Sequence, residues 1–71
     1  MSVKIYTTKN CQQCNITKKL FQKSNILYTE INGLEHINEL KEKGFSSFPV
    51  IETDNDSWSG FKPDKIKALI N

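Results

Sequence analysis

The chain has 71 residues, of which 37% are hydrophobic, and a net charge of +2 in which all ten basic residues are lysine. A chain this short is expected to fold as one domain over 1–71, with room for a single modest core and no second functional unit. Scattered lysines without arginine argue against a nucleic-acid binder, and no apolar run approaches the ~20 residues that span a bilayer.

The elements follow in order. Val3, Ile5 and Thr7 alternate with Lys4 and Tyr6, so the opening residues Met1–Tyr6 read as a strand and not as a signal-peptide core, which places the chain in the cytoplasm. The strand ends at Thr8-Lys9-Asn10. From Gln12 to about Ser24 there is no Gly or Pro, and Cys14, Ile16, Leu20 and Phe21 are expected on one side of a helix with Lys18, Lys19 and Lys23 on the other. Asn25 stops it, and Leu27–Ile31 reads as a second strand. Asn32-Gly33-Leu34-Glu35 has the spacing of a capping box and opens a second helix through Lys43, with Ile37 and Leu40 inward and Gly44 at its end. Gly33 and Gly44 read as helix punctuation, and His36 as an exposed side chain without a role.

Ser46–Thr53 reads as a loop feeding a third strand, with Pro49 at the first strand position, where a missing N–H costs least. Asp54-Asn55-Asp56 turns the chain into a short fourth strand around Ser57-Trp58. Pro63 then opens a last helix with an Ile66, Leu69, Ile70 stripe. The predicted order is βαβαββα.

Cys11-Gln12-Gln13-Cys14 holds both cysteines and falls where strand gives way to helix. In a reducing compartment, C-x-x-C in this setting reads first as an exchangeable dithiol. Cys11 near the helix N-cap lies among unpaired N–H groups and at the positive end of the helix dipole, which stabilise its thiolate, while Cys14 follows one turn in. A purely structural disulfide closing so short a loop removes little entropy from the unfolded chain. Metal binding competes better, but two thiolates with the single His36 in another element do not complete a four-ligand zinc site. Two-coordinate Cu(I) remains open.

The predicted order, with C-x-x-C heading the first helix and proline heading the third strand, resembles the thioredoxin fold in its short glutaredoxin-like form, an α/β fold with a four-stranded mixed sheet flanked by three helices. More narrowly, Lys4-Ile5-Tyr6-Thr7, Cys11-Gln12-Gln13-Cys14, Gly44-Phe45, Phe48-Pro49-Val50 and Trp58-Ser59-Gly60-Phe61-Lys62-Pro63-Asp64 resemble the NrdH redoxins. The resemblance implies a monomeric carrier without bound cofactor. Its Cys11–Cys14 disulfide takes electrons from NADPH through thioredoxin reductase and passes them to the large subunit of class Ib ribonucleotide reductase. It makes Cys11 the nucleophile, Cys14 the resolving thiol, and Pro49 a cis-proline whose neighbour Phe48 offers its backbone to an extended partner segment.

Around the thiols, Lys9 is a candidate source of positive field, the plainer reading being a solvated charge. Trp58 is expected half-buried with one edge at the partner groove. Ser59, Gly60 and Phe61 form the loop below it, Gly60 allowing close approach or positive φ, and Phe61 equally able simply to pack on the last helix. Gln12 and Lys62 depart from the family pattern of a hydrophobic residue and an arginine, so the rim beside Cys11 is more polar and a planar guanidinium network is lost. Two alternatives stand beside this reading. One is a glutathione-dependent glutaredoxin, although Ser59-Gly60-Phe61 lacks that family's Gly-Gly pair. The other is a heavy-metal-associated module, although Lys9 replaces the usual Met and the chain is predicted to end in a helix.

Overall fold

The computed structural model describes residues 2–70, with Ile70 described by its backbone alone. Met1 of the predicted first strand and the Ile70 side chain of the predicted stripe lie outside the described residues. The elements are β1 (Lys4–Thr7), α1 (Gln12–Lys23), β2 (Thr29–Asn32), a 3-10 turn (Gly33–His36), α2 (Ile37–Glu42), β3 (Val50–Glu52), β4 (Ser57–Ser59) and α3 (Pro63–Ile70). The sheet order is β2-β1-β3-β4. β1 runs parallel to β2 and antiparallel to β3, and β4 closes a hairpin on β3, giving the expected mixed sheet.

Both faces of that sheet are covered, and this corrects the first-strand pattern. Ile5, Ile51 and Trp58 stand side by side across β1, β3 and β4, and they cluster with Phe21 of α1 and Ile66 of α3. On the opposite face Tyr6 stands beside Ile31 and Val50 and packs with Leu40 of α2. Tyr6, on the polar side of a half-exposed alternation, is therefore only 7% exposed. Each fully buried Ile or Phe contributes roughly 1.5–3 kcal/mol.

Three further expectations change for geometric reasons. At about 100° per residue, Ile16 lies roughly 200° around α1 from Cys14, whereas Thr17 and Phe21 fall near it. The buried face is accordingly Cys14, Thr17 and Phe21, and Ile16 is exposed. Thr17 satisfies its hydroxyl by donating to the Gln13 carbonyl at 2.7 Å. After α1, Asn25 takes φ 59° and the Ile26 N–H bonds back to Phe21 O at 2.9 Å. This turn sends Ile26 inward and leaves Leu27 90% exposed, so β2 starts at Thr29.

The predicted second helix is split in two. The Asn32 side chain accepts from Leu34 N–H, tightening the first turn into 3-10 geometry, and α2 proper begins only at Ile37. Leu40 faces in as expected, but Ile37 is exposed. Gly44 ends the helix with φ 91°, its N–H on Lys41 O and the Phe45 N–H on Leu40 O. His36 is not free in solvent: its ring meets Tyr6 edge-on at 5.6 Å, and its Nδ1 lies 3.5 Å from Glu39 Oε1, too far for a good hydrogen bond.

A polar tie crosses the α2 face. The Tyr6 hydroxyl donates to Glu52 Oε1 at 2.9 Å, and Lys43 Nζ reaches Glu52 Oε2 at 2.8 Å. The Lys43 hydrogen bond holds the Glu52 carboxyl below the usual range, with the Tyr6 hydroxyl adding to it and burial opposing. Burial, then the Glu52 hydrogen bond, pushes the Tyr6 phenol up.

Two outcomes follow for stability. Phe21→Ala lowers the unfolding free energy by about 3–5 kcal/mol while Leu27→Ser changes it by less than about 0.5 kcal/mol, measured by urea unfolding. Because Glu52 is depressed in the folded state, its stabilisation is fully present above the ordinary value of 4.5 and is lost as pH falls through its lower folded value. Glu52→Gln should therefore cost about 1 kcal/mol at pH 7 and flatten the fall in stability below pH 4.5, read from melting temperatures across pH.

Candidate functional site

The loop from β1 into α1 passes through Asn10 at φ 56°, which delivers Cys11 to the helix as its N-cap at φ −108°, ψ 104°. The Cys11 carbonyl accepts the Asn15 N–H at 3.1 Å, and its Sγ accepts the Cys14 N–H, also at 3.1 Å. The two sulfurs are joined in a disulfide across a Cα separation of 5.2 Å. The Cys14 N–H and the positive end of the helix dipole thus both face the Cys11 sulfur. No acidic residue in the first turn opposes it. Cys11 is half-buried and Cys14 only 1% exposed. Cys11 is therefore the more accessible member of the pair, and Cys14 lies buried behind it.

Facing the helix tip are the residues just before β3 and just after β4. The Phe48–Pro49 bond is cis, as the resemblance implies, and Pro49 is buried immediately before the first residue of β3. Its carbonyl accepts the Gly60 N–H at 2.8 Å, continuing the pairing of Val50 with Ser59. Gly60 has φ 83°, and a Cβ built on it would sit 3.9 Å from Gln13 Oε1. Gly60 thus lies between the proline loop and the dithiol helix, while Ser59 pairs with Val50 and half-buried Phe61 packs on the Ile66 cluster.

Gln13, which the sequence did not single out, therefore meets Gly60, and only the fold shows it. Gln12 is exposed at the tip, as a rim residue would be. Trp58 departs from expectation: at 3% exposure it belongs to the core, because its register opposite Ile51 puts it under α1 and α3. Its Nε1 has no hydrogen-bond partner among the described residues, and Lys65 Nζ lies 5.9 Å from its ring centre.

On the other flank, exposed Lys9 lines a shallow groove with Thr7, Thr8, Glu30, Asn32 and Leu34. Within it Glu30 accepts from Lys18 Nζ at 3.0 Å and from the Thr7 hydroxyl at 2.9 Å. Those bonds, Lys18 first, hold its carboxyl below the usual range. This network ties α1 to β1 and β2, and it was invisible until the parallel pairing was known. Among the described residues no three His, Cys, Asp or Glu side chains cluster as metal ligands.

An accessible sulfur capping a helix, a hidden partner one turn behind it and a cis-proline loop opposite, all on this mixed sheet, define a thioredoxin-fold thiol-disulfide redox protein. Residues 3–58 match the glutaredoxin family model. The glutaredoxin-like protein NrdH of Salmonella typhimurium is 36% identical over 72 residues, covering 97% of this chain and 89% of its own. NrdH of Lactococcus lactis subsp. cremoris is also 36% identical, covering 94% and 97%. The structure of NrdH-redoxin from Escherichia coli superposes with a TM-score of 0.92 at 36% identity, over 97% of this chain and 95% of that one. The chain belongs to the glutaredoxin family, among its NrdH glutaredoxin-like redox proteins.

For the reduced protein, alkylation of Cys11 by iodoacetamide should titrate below the ordinary thiol value of about 8.5 while Cys14 stays protected. Mass spectrometry of the labelled peptides across pH checks both, and a Cys11 midpoint at or above that value contradicts the N-cap account.

Proposed function

We propose that the chain is a cytoplasmic, monomeric electron carrier that reduces protein disulfides, with Cys11 as nucleophile and Cys14 as resolving thiol. The Cys11 thiolate attacks one sulfur of the partner disulfide, forming a mixed disulfide and expelling the other partner sulfur as a thiolate that takes up a proton. Cys14 then gives up its proton and attacks Cys11 Sγ. The second partner thiol leaves, the Cys11–Cys14 disulfide forms, and two electrons have passed to the partner. Proximity drives the second step, since Cys14 acts from within the same turn. The observation that carries this reading is that half-buried Cys11 receives the Cys14 N–H on its sulfur while the Cys14 side chain is buried.

In the same proposal NADPH supplies the electrons through thioredoxin reductase, and the acceptor is the large subunit of class Ib ribonucleotide reductase. The kinship with NrdH proteins supports this, as does the thioredoxin-like activity profile ascribed to the Escherichia coli NrdH-redoxin. The extended partner segment pairs with the Phe48 backbone, and Gln12, Ser59, Gly60 and Phe61 form the rim around it, with Lys9 on the opposite flank. Trp58 serves from beneath by supporting the loop.

A coupled assay tests the proposal. NADPH should be consumed rapidly when thioredoxin reductase drives the protein with ribonucleotide reductase as acceptor, and much more slowly when glutathione and glutathione reductase drive it. The reverse order would make it a glutathione-dependent glutaredoxin. Cys11→Ser should abolish turnover, whereas Cys14→Ser should accumulate the mixed disulfide and lower turnover at least about 100-fold.

A further inference from the structure

Gly33 opens the 3-10 turn after β2 and is buried, yet the positive-φ glycines are Gly44 and Gly60 only, so its backbone does not call for glycine. Space does. A Cβ built on Gly33 would lie 2.8 Å from Cζ and 2.9 Å from Cδ1 of Phe48, and closer still to Cε1. Real carbon contacts need about 3.5–4.0 Å, so nothing larger than hydrogen fits while the Phe48 ring keeps its place. That ring packs with Tyr6, Leu40 and Val50, and with Ile37 and Phe45 it walls a small apolar cavity of about 40 Å³. The next residue, Pro49, is buried and held by the Gly60 N–H. Phe48 is thus the part of this segment that can shift, and the bare Cα of Gly33 is its seat.

We propose that Gly33 is a positioning residue: by seating the Phe48 ring it fixes the Phe48 backbone at which a protein partner docks. The inference rests on the reading that this backbone receives an extended partner segment. Elsewhere in a helical turn, glycine to alanine relieves an entropic cost and stabilises. Here the methyl group instead dislodges the ring.

The test compares the wild type, Gly33→Ala, Phe48→Ala and the double variant. Each is fully reduced in advance and mixed with insulin as a protein disulfide or with dithiobisnitrobenzoate as a small one. Oxidation is followed by quenched alkylation and mass spectrometry. Gly33→Ala should slow the insulin reaction about fivefold and the small-disulfide reaction by less than about twofold. In the Phe48→Ala background, where there is no ring to displace, the same substitution should change the insulin rate by less than about 1.5-fold. Equal slowing in both backgrounds, equal slowing with both disulfides, or a wild-type insulin rate for Gly33→Ala overturns the inference. If Gly33→Ala does not fold, the double variant folding normally supports the seat, and its failing to fold as well refutes it. A wild-type insulin rate for Gly33→Ala removes the Gly33 inference whatever Phe48→Ala does, and leaves docking at the Phe48 backbone, which alanine retains, standing. Because the protein is reduced beforehand, failure with thioredoxin reductase would leave this assay intact.

Discussion

The Cys14 N–H bonded to the Cys11 sulfur is the contact from which the chemistry of this protein follows. It exists because Cys11 occupies the N-cap, where the helix has donors without partners, and because three residues later the chain has completed the turn that brings Cys14 beneath it. The same contact makes the two sulfurs unequal. One caps the helix and receives its N–H, and the other is buried in a face it shares with Thr17 and Phe21. The two members of the pair therefore differ in exposure and in hydrogen bonding.

That asymmetry needs a sheet closed on both sides. β1 carries Ile5 toward α1 and α3 and Tyr6 toward α2, so the strand leading into the dithiol has no solvent face on which to shift. A one-residue slip would exchange the two buried sets. The antiparallel pairing of β1 with β3 and the β3–β4 hairpin then carry Pro49 and Gly60 to the helix tip, where the Gly60 N–H fastens the two loops together. The site is therefore made from three separate stretches of chain that backbone pairing brings together.

Charge plays a quieter part. Glu52 and Glu30 each join two neighbouring elements through a lysine and a hydroxyl, one on each flank of the sheet. Glu30 is exposed and Glu52 partly buried, and through these bonds they orient α1 and α2 against the strands. Lys9 stands outside the ion pairs formed among the described residues.

Local signals were enough to read the element order, the dithiol at the start of α1, the stop at Gly44, the turn before β4 and the start of α3 at Pro63. Each depends on periodicity, capping or turn chemistry within a few residues. Those signals failed wherever the answer depended on what the element packs against. Ile16 and Thr17 changed places because the inward face of α1 is set by its neighbours and not by hydrophobicity alone. Tyr6 and Trp58 proved buried because both faces of the sheet are covered. Gly33 looked like punctuation, but the Phe48 ring requires it. The Thr7–Glu30–Lys18 network and the meeting of Gln13 with Gly60 join residues far apart in sequence, so tertiary structure alone decided them.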